Sequence, residues 1–254
     1  MSSGRRYCAW LSILVVLLSC IIVPLTSFWP SVHLPARISF LARQRRQPDY
    51  EYMERAIRMA LESTAQPHDF ALAAGGARIV PDLTSQSSNR VYASNKPENV
   101  LTEDLHKYAC WLFDGGRGQV GIRLPDHLIT PTHIALDFTL RSYWSDAPRR
   151  LVLWGIVDGD VNRRIYGSQL QDYRDTVRHL GDGPAQALGY TFLALSEFEY
   201  DAFAPFPLQT HRIADAVVKS RITFGILVLE VRSNWGGIRT GICRLRVHGT
   251  SRAD

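Results

Sequence analysis

Cysteine is scarce in this chain. Four occur in 254 residues. Cys8 and Cys20 belong to an apolar N-terminal region, which leaves Cys110 and Cys243 for the folded part. At most one internal disulfide can form there, and only in an oxidising compartment. Concentrated charge of one sign is also sparse. The formal net charge is +5, and the one tight basic group, Arg43, Arg45 and Arg46, is short. Lying next to the apolar region, it reads as a solvated juxtamembrane flank rather than a nucleic-acid patch. Catalytic motifs are missing. There is no glycine-rich phosphate loop, no serine nucleophile elbow and no His-Glu zinc motif. Asp158-Gly159-Asp160 lacks the other positions of a calcium loop and reads as a β-turn. His106, His127 and His133 show no metal-ligand spacing. A sugar-acting lyase or hydrolase would need convergent carboxylates or a histidine base, and the sequence places neither.

One hydrophobic run is long. Ala9 to Phe28 contains no charged residue, and about 20 residues suffice to cross a bilayer as a helix. Trp10 and Phe28-Trp29 suit its two interfaces. A cleaved signal peptide starting at Arg5-Arg6 is the competing reading. The run is long for that, and Leu25 with Ser27 makes a poor cleavage site. The chain then divides into a short tail (1–8), a transmembrane helix (9–28), a linker (29–48), a helix (49–66) and a folded domain (67–250). Pro30, Pro35 and Pro48 mark the linker. Asp49 caps the helix, Met53, Ile57, Ala60 and Leu61 form its apolar stripe, and Pro67 ends it. Two heptads are too few for a stable coiled coil alone, so association with other helices and simple packing on the domain both stay open.

From residue 69 the period changes to that of strands. Gln119–Leu124, Ile134–Leu140, Leu151–Val157, Tyr190–Tyr200, Leu208–Ile213, Ile222–Val231 and Ile242–Val247 alternate or run apolar over strand length. Glycine and proline punctuate them. The expected fold class is all-β, a β-sandwich, preceded by the short α-helix and the membrane helix. Arg163–Leu180 has poor periodicity and reads as a helix or an irregular insertion.

Three blocks in order resemble the SUN domain. The first is Asp69-Phe-Ala-Leu-Ala-Ala-Gly-Gly-Ala-Arg-Ile-Val80. The second is Cys110-Trp-Leu-Phe-Asp-Gly-Gly-Arg-Gly-Gln-Val-Gly-Ile-Arg-Leu124, followed by Ile129 to Phe138. The third runs from Ile222 through a turn at Asn234-Trp235-Gly236 to His248-Gly249. The resemblance implies no enzyme. It implies a homotrimeric module in the perinuclear lumen, anchored in the inner nuclear membrane, that grips the C-terminal tail of a KASH-type partner and bridges the nuclear membranes as a LINC-type adaptor. Orientation carries a conflict. Two arginines precede the apolar run and Arg37, Arg43, Arg45 and Arg46 follow it, which by charge alone would keep the C-terminus out of the lumen. The resemblance implies the lumen all the same, because the family's domain is a luminal binder.

The resemblance also assigns residues. The pocket that holds the partner's terminal carboxylate falls on Phe138, Arg239 and Cys243, of which Arg239 alone offers a carboxylate-binding group. The family's partner-linking cysteine falls on Thr84, so no covalent link is expected. A structural monovalent cation would be held by main-chain carbonyls of Asn99, Thr102, Asp104, Ala109 and Cys243; no other cofactor is implied. The family disulfide starts at Cys110, but its second position falls on Gly241, so a bond shifted to Cys243 is the expectation. The lid over the pocket, Gln86–Glu98, is short and polar. The scaffold is kept while the recognition surface is rewritten. An alternative therefore stands beside the first reading: an endoplasmic-reticulum membrane factor whose sandwich binds client proteins or glycans.

Overall fold

The computed structural model describes residues 68–89, 95–103, 110–125 and 128–251. The expected tail, membrane helix, linker and helix over 1–66 lie outside the described residues. Among the described residues, no helix is long and apolar enough to cross a membrane.

The strands are β1 (Arg78–Val80), β2 (Trp111–Asp114), β3 (Gly118–Arg123), β4 (Ile129–Asp137), β5 (Pro148–Ile156), β6 (Phe192–Glu199), β7 (Leu208–Arg212), β8 (Ile226–Asn234), β9 (Arg239–Ile242) and β10 (Arg244–Ser251). They form a five-stranded sheet in the order β1-β3-β8-β5-β6, a three-stranded sheet β10-β4-β7 and a two-stranded ribbon β2-β9. Every pairing is antiparallel. The architecture is a β-sandwich. Its main core lies between the inner faces: Val120 and Ile122 of β3, Leu151 and Leu153 of β5 and Leu227 and Leu229 of β8 meet Ile134 and Leu136 of β4 and Leu245 and Val247 of β10.

The unbroken apolar run at Leu151–Val157 follows from the position of β5 in the middle of the large sheet. Its odd-numbered side chains enter the main core. Val152, Trp154 and Ile156 enter a second cluster on the outer face, with Leu83, Leu180, Phe192 and Val228. The end of the insertion, Val177 and Leu180, packs on that outer face, while its Ile165, Tyr166, Leu170 and Tyr173 join the main core. The insertion is helical, with α1 (Asp160–Ser168), α2 (Gln171–Thr176) and a 3-10 turn at Arg178–Leu180. Tyr173 donates its hydroxyl to the Ala194 carbonyl at 2.8 Å, and Arg232 donates to the Leu180 carbonyl at 2.6 Å. Periodicity is poor because short helices pack a few side chains onto a sheet, with no continuous stripe to repeat. Asp158-Gly159 turns into α1, and Gly159 has φ +80. A further short helix, α3 (Asp215–Ser220), precedes β8.

Two departures from expectation matter for function. The final strand is two strands, because the chain changes partners at Cys243. Ile242 still pairs with Trp111 of β2, and Arg244 already pairs with Asp137 of β4. The Cys243 N–H donates to the Asp137 carbonyl at 3.3 Å and holds the corner. β4 begins at Ile129, earlier than expected. Its Pro131 is accommodated where the register with β10 shifts at His248/Gly249. A side chain on Gly249 would collide with the backbone of Thr130 and Pro131.

β7 carries His211, stacked on Phe198 with ring centroids 4.1 Å apart. Burial lowers its pKa from 6.5 to about 4. Its Nε2 is buried without a hydrogen-bond partner among the described residues, so protonation in the folded state gains no new acceptor. The unfolded chain takes up the proton first as pH falls. This contribution to stability is complete above about pH 6.5, declines as pH falls and is fully lost below about pH 4. The expected loss is on the order of 3 kcal/mol. Urea midpoints measured between pH 7 and 4 will show a flatter profile for His211→Phe than for the native chain. Parallel profiles would refute the assignment.

Candidate functional site

The expected site residues gather around the β2-β9 ribbon and the corner that ends it. β2 lies against β9 with Leu112 opposite Gly241 and Asp114 opposite Arg239. Its other edge is closed. The Ser88 N–H donates to the Leu112 carbonyl at 2.8 Å. The Asn95 side chain donates to the same carbonyl at 2.9 Å and accepts from the Leu112 N–H at 2.6 Å. One amide thus mimics a strand neighbour and pins the segment around Asn95 to the ribbon; residues 90–94 of the expected lid lie outside the described residues.

Cys110 and Cys243 extend the ribbon register by one pair. Their Sγ atoms are 2.00 Å apart, a disulfide that closes a sequence separation of 133 residues. The family position at Gly241 faces Leu112, two residues along the ribbon from the bond. The Thr139 N–H donates to Cys243 Sγ at 3.4 Å. Cys243 is 4% exposed, and Phe138 is 3% exposed. Phe138 packs edge-on to Tyr200 at 6.4 Å and lies against the space where a side chain on Gly241 would project. Both residues form the wall behind the ribbon. Neither presents a polar group outward.

Arg239 differs. It opens β9, and its Nε donates to Asp146 Oδ2 at 2.7 Å; the two side chains are 27% and 8% exposed. Asp146 ends a 3-10 turn at Arg141–Asp146. The guanidinium carbon lies 5.7 Å from the Tyr143 ring centre, within cation–π range. Among the described residues, the Nη atoms have no hydrogen-bond partner, so they form a fixed fork at the surface. The turn beside it is braced. Asn234 donates to the carbonyls of Gly237 and Arg239, each at 2.9 Å, and accepts from the Gly236 N–H at 3.0 Å. Gly236 has φ +106, and a side chain on Gly237 would strike the Asp146 carboxylate. Neither Tyr143 nor Asp146 stood out in the sequence, because a single aromatic and a single acid in a loop carry no periodic signal.

Thr84 is elsewhere. Its hydroxyl donates to the Val80 carbonyl at 2.7 Å and accepts from the Gly121 N–H at 3.1 Å, tying the chain after β1 to β3. Of the expected cation ligands, Asp104 and Ala109 lie outside the described residues. The Asn99 carbonyl accepts from the Thr102 N–H at 3.2 Å and the Thr102 hydroxyl at 3.0 Å. The Arg244 guanidinium donates to the neighbouring Val100 carbonyl at 3.1 Å. A fixed cation therefore already occupies part of that loop. Among the described residues, the groups whose protonation is displaced are Tyr173 (raised to about 12 by burial), His211 and Arg244, and each is held within the sandwich away from Arg239.

No protein-family model matches the chain. Sperm-associated antigen 4 protein of Mus musculus is 25% identical over 213 residues, covering 76% of this chain and 40% of that protein. SUN domain-containing protein 2 of Mus musculus is 24% identical over 220 residues, covering 78% and 26%. SUN domain-containing protein 5 of Homo sapiens is 24% identical over 199 residues, covering 72% and 44%. The chain is thus a relative of SUN-domain proteins over most of its length, and it spans about a quarter to a half of the length of the curated relatives it matches. Among solved structures, the family 32 carbohydrate-binding module from Streptococcus pneumoniae EndoD aligns with TM-score 0.47 and 10% identity, over 72% of this chain and all of that one. Allantoicase from Saccharomyces cerevisiae aligns with TM-score 0.44 and 14% identity, over 72% of this chain and 43% of that one.

Proposed function

We propose that this chain is a membrane-anchored SUN-type adaptor of the nuclear envelope, a binding module and not an enzyme. In this reading the sandwich faces the perinuclear lumen as a homotrimer and holds the C-terminal tail of a KASH-type partner. The observation that carries the reading is the Arg239 fork. It stands at a position the resemblance assigns to carboxylate binding, and Asp146 and Tyr143 orient it before any ligand arrives. Phe138 and Cys243 support the pocket from behind. Thr84 lacks a thiol and leaves the complex non-covalent. The monovalent cation at Asn99, Thr102, Asp104, Ala109 and Cys243 belongs to the same reading and rests on the resemblance alone.

Calorimetry of the full chain in lipid nanodiscs with synthetic KASH C-terminal peptides tests this. A free carboxylate should be required. Arg239→Ala should weaken binding about 10- to 100-fold, the worth of a charged hydrogen-bonded pair. Equal binding of amidated peptides, or indifference to Arg239→Ala, would sink the reading. The burial of two of the three pocket positions favours a second reading, an endoplasmic-reticulum factor that holds client proteins. A reticular distribution in place of a nuclear rim identifies it.

A further inference from the structure

A row of aromatic rings lies beside the Arg239 fork and takes no part in the tail pocket. It is built by three loops: the 3-10 turn at Arg141–Asp146, the β6–β7 loop and the β8–β9 turn. Trp144 and Phe203 have ring centroids 5.2 Å apart, and Phe203 meets Trp235 at 5.3 Å. Trp144 is 46% exposed and Phe203 is 62% exposed. The far end is closed by Arg149, whose guanidinium lies 4.6 Å over the Trp235 ring and whose Nε donates to Glu199 at 2.8 Å.

Loop tips with exposed rings are ordinarily mobile. These are braced from three sides. The Trp235 N–H donates to the Ala147 carbonyl at 3.1 Å, and the Gly237 N–H donates to the Ser145 carbonyl at 2.8 Å. The Trp235 indole N–H donates to the Tyr200 carbonyl at 2.9 Å. Gln209 holds both the N–H and the carbonyl of Asp201, at 3.0 and 2.7 Å. Large apolar rings held rigid at the surface make a binding platform, since little ordering entropy is left to lose.

The charge at the platform selects the ligand. Arg149 is neutralised by Glu199, so its end of the row has no net field to draw an acidic group. What it offers is an exposed donor and an exposed acceptor side by side, complementary to two adjacent hydroxyls. Next to it, the exposed rings of Trp144 and Phe203, backed by Trp235, suit the C–H face of a pyranose. The compartment agrees: a domain closed by Cys110–Cys243 belongs in an oxidising space, where proteins carry glycans. We infer that Trp144, Phe203 and Trp235, with the Arg149–Glu199 pair, form a docking platform for a neutral hexose of a glycan. This goes beyond the tail-binding reading and does not depend on it.

Saturation-transfer NMR with the full chain in lipid nanodiscs, free of sugar-based detergent, tests the platform. The probes are mannose, galactose, glucose and their N-acetyl amino-sugar forms, with sialic acid as the charged comparison. At least one neutral sugar should bind. Trp144→Ala and Phe203→Ala should each weaken it roughly tenfold, and Glu199→Gln should weaken it too. Trp144 is nearly half exposed and Phe203 more than half, so those variants should keep the urea unfolding midpoint of the native chain. No saturation by any neutral sugar overturns the proposal. So does sugar binding that survives Trp144→Ala and Phe203→Ala, or a preference for sialic acid, or ring-dependent binding of the KASH peptides in place of sugar.

Discussion

Reduction of Cys110–Cys243 is expected to lower the unfolding free energy by about 4–5 kcal/mol. The bond closes a loop of 133 residues, and the entropy removed from the unfolded chain grows with the logarithm of that length. It also sits at the corner where the chain passes from the β2-β9 ribbon to the β10-β4 pair, so its loss frees both. Urea unfolding followed by tryptophan fluorescence, with and without dithiothreitol, measures the effect. Cys110→Ala/Cys243→Ala should match the reduced native chain and become insensitive to reductant. A midpoint unmoved by reductant would mean that the sulfurs are not joined in the native protein.

The other large effect is expected at Asp69. Its carboxylate meets the Arg244 guanidinium in a charged hydrogen bond and accepts from the N–H groups of Ala71 at 2.9 Å and Val247 at 3.1 Å. The Arg244 side chain is 2% exposed. It also donates to the carbonyls of Val100 and Leu245, at 3.1 and 2.9 Å. One residue therefore joins the start of the domain, the loop before the ribbon and the last strand. Burial pushes the guanidinium's pKa down, and the charge of Asp69 opposes that shift. Asp69→Ala strands a buried cation and should cost about 3–5 kcal/mol. Asp69→Ala/Arg244→Met should recover a good part of it, because an apolar side chain needs no counter-charge. Chemical denaturation of the four chains of this cycle gives the coupling. A double variant no better than Asp69→Ala would show that the guanidinium's hydrogen bonds, and not its charge, hold the corner.

The two cases show what sequence reading reaches. Asp69 and Arg244 each lie in a block that resembles the SUN domain, but 175 positions separate them, and no local pattern announces their pairing. The shifted disulfide has the same origin. A two-residue offset looks awkward along a single strand. It becomes natural once β9 ends at Ile242 and the next residue stands opposite Cys110. Arg239 was legible as the polar residue among the positions the resemblance assigns to carboxylate binding, while Asp146, which orients it, and Tyr143, which faces it, were not.

What the sequence by itself determined is the class of the fold and the family resemblance. Alternation and short apolar runs follow from the two-residue period of a strand, and block order survives substitution because it follows from chain connectivity. Burial of Phe138 and Cys243, closure of the β2 edge by Asn95, and the aromatic row were decided by tertiary structure alone. Each is set by which distant segments become neighbours, and a side chain's exposure depends on what packs over it rather than on its own chemistry.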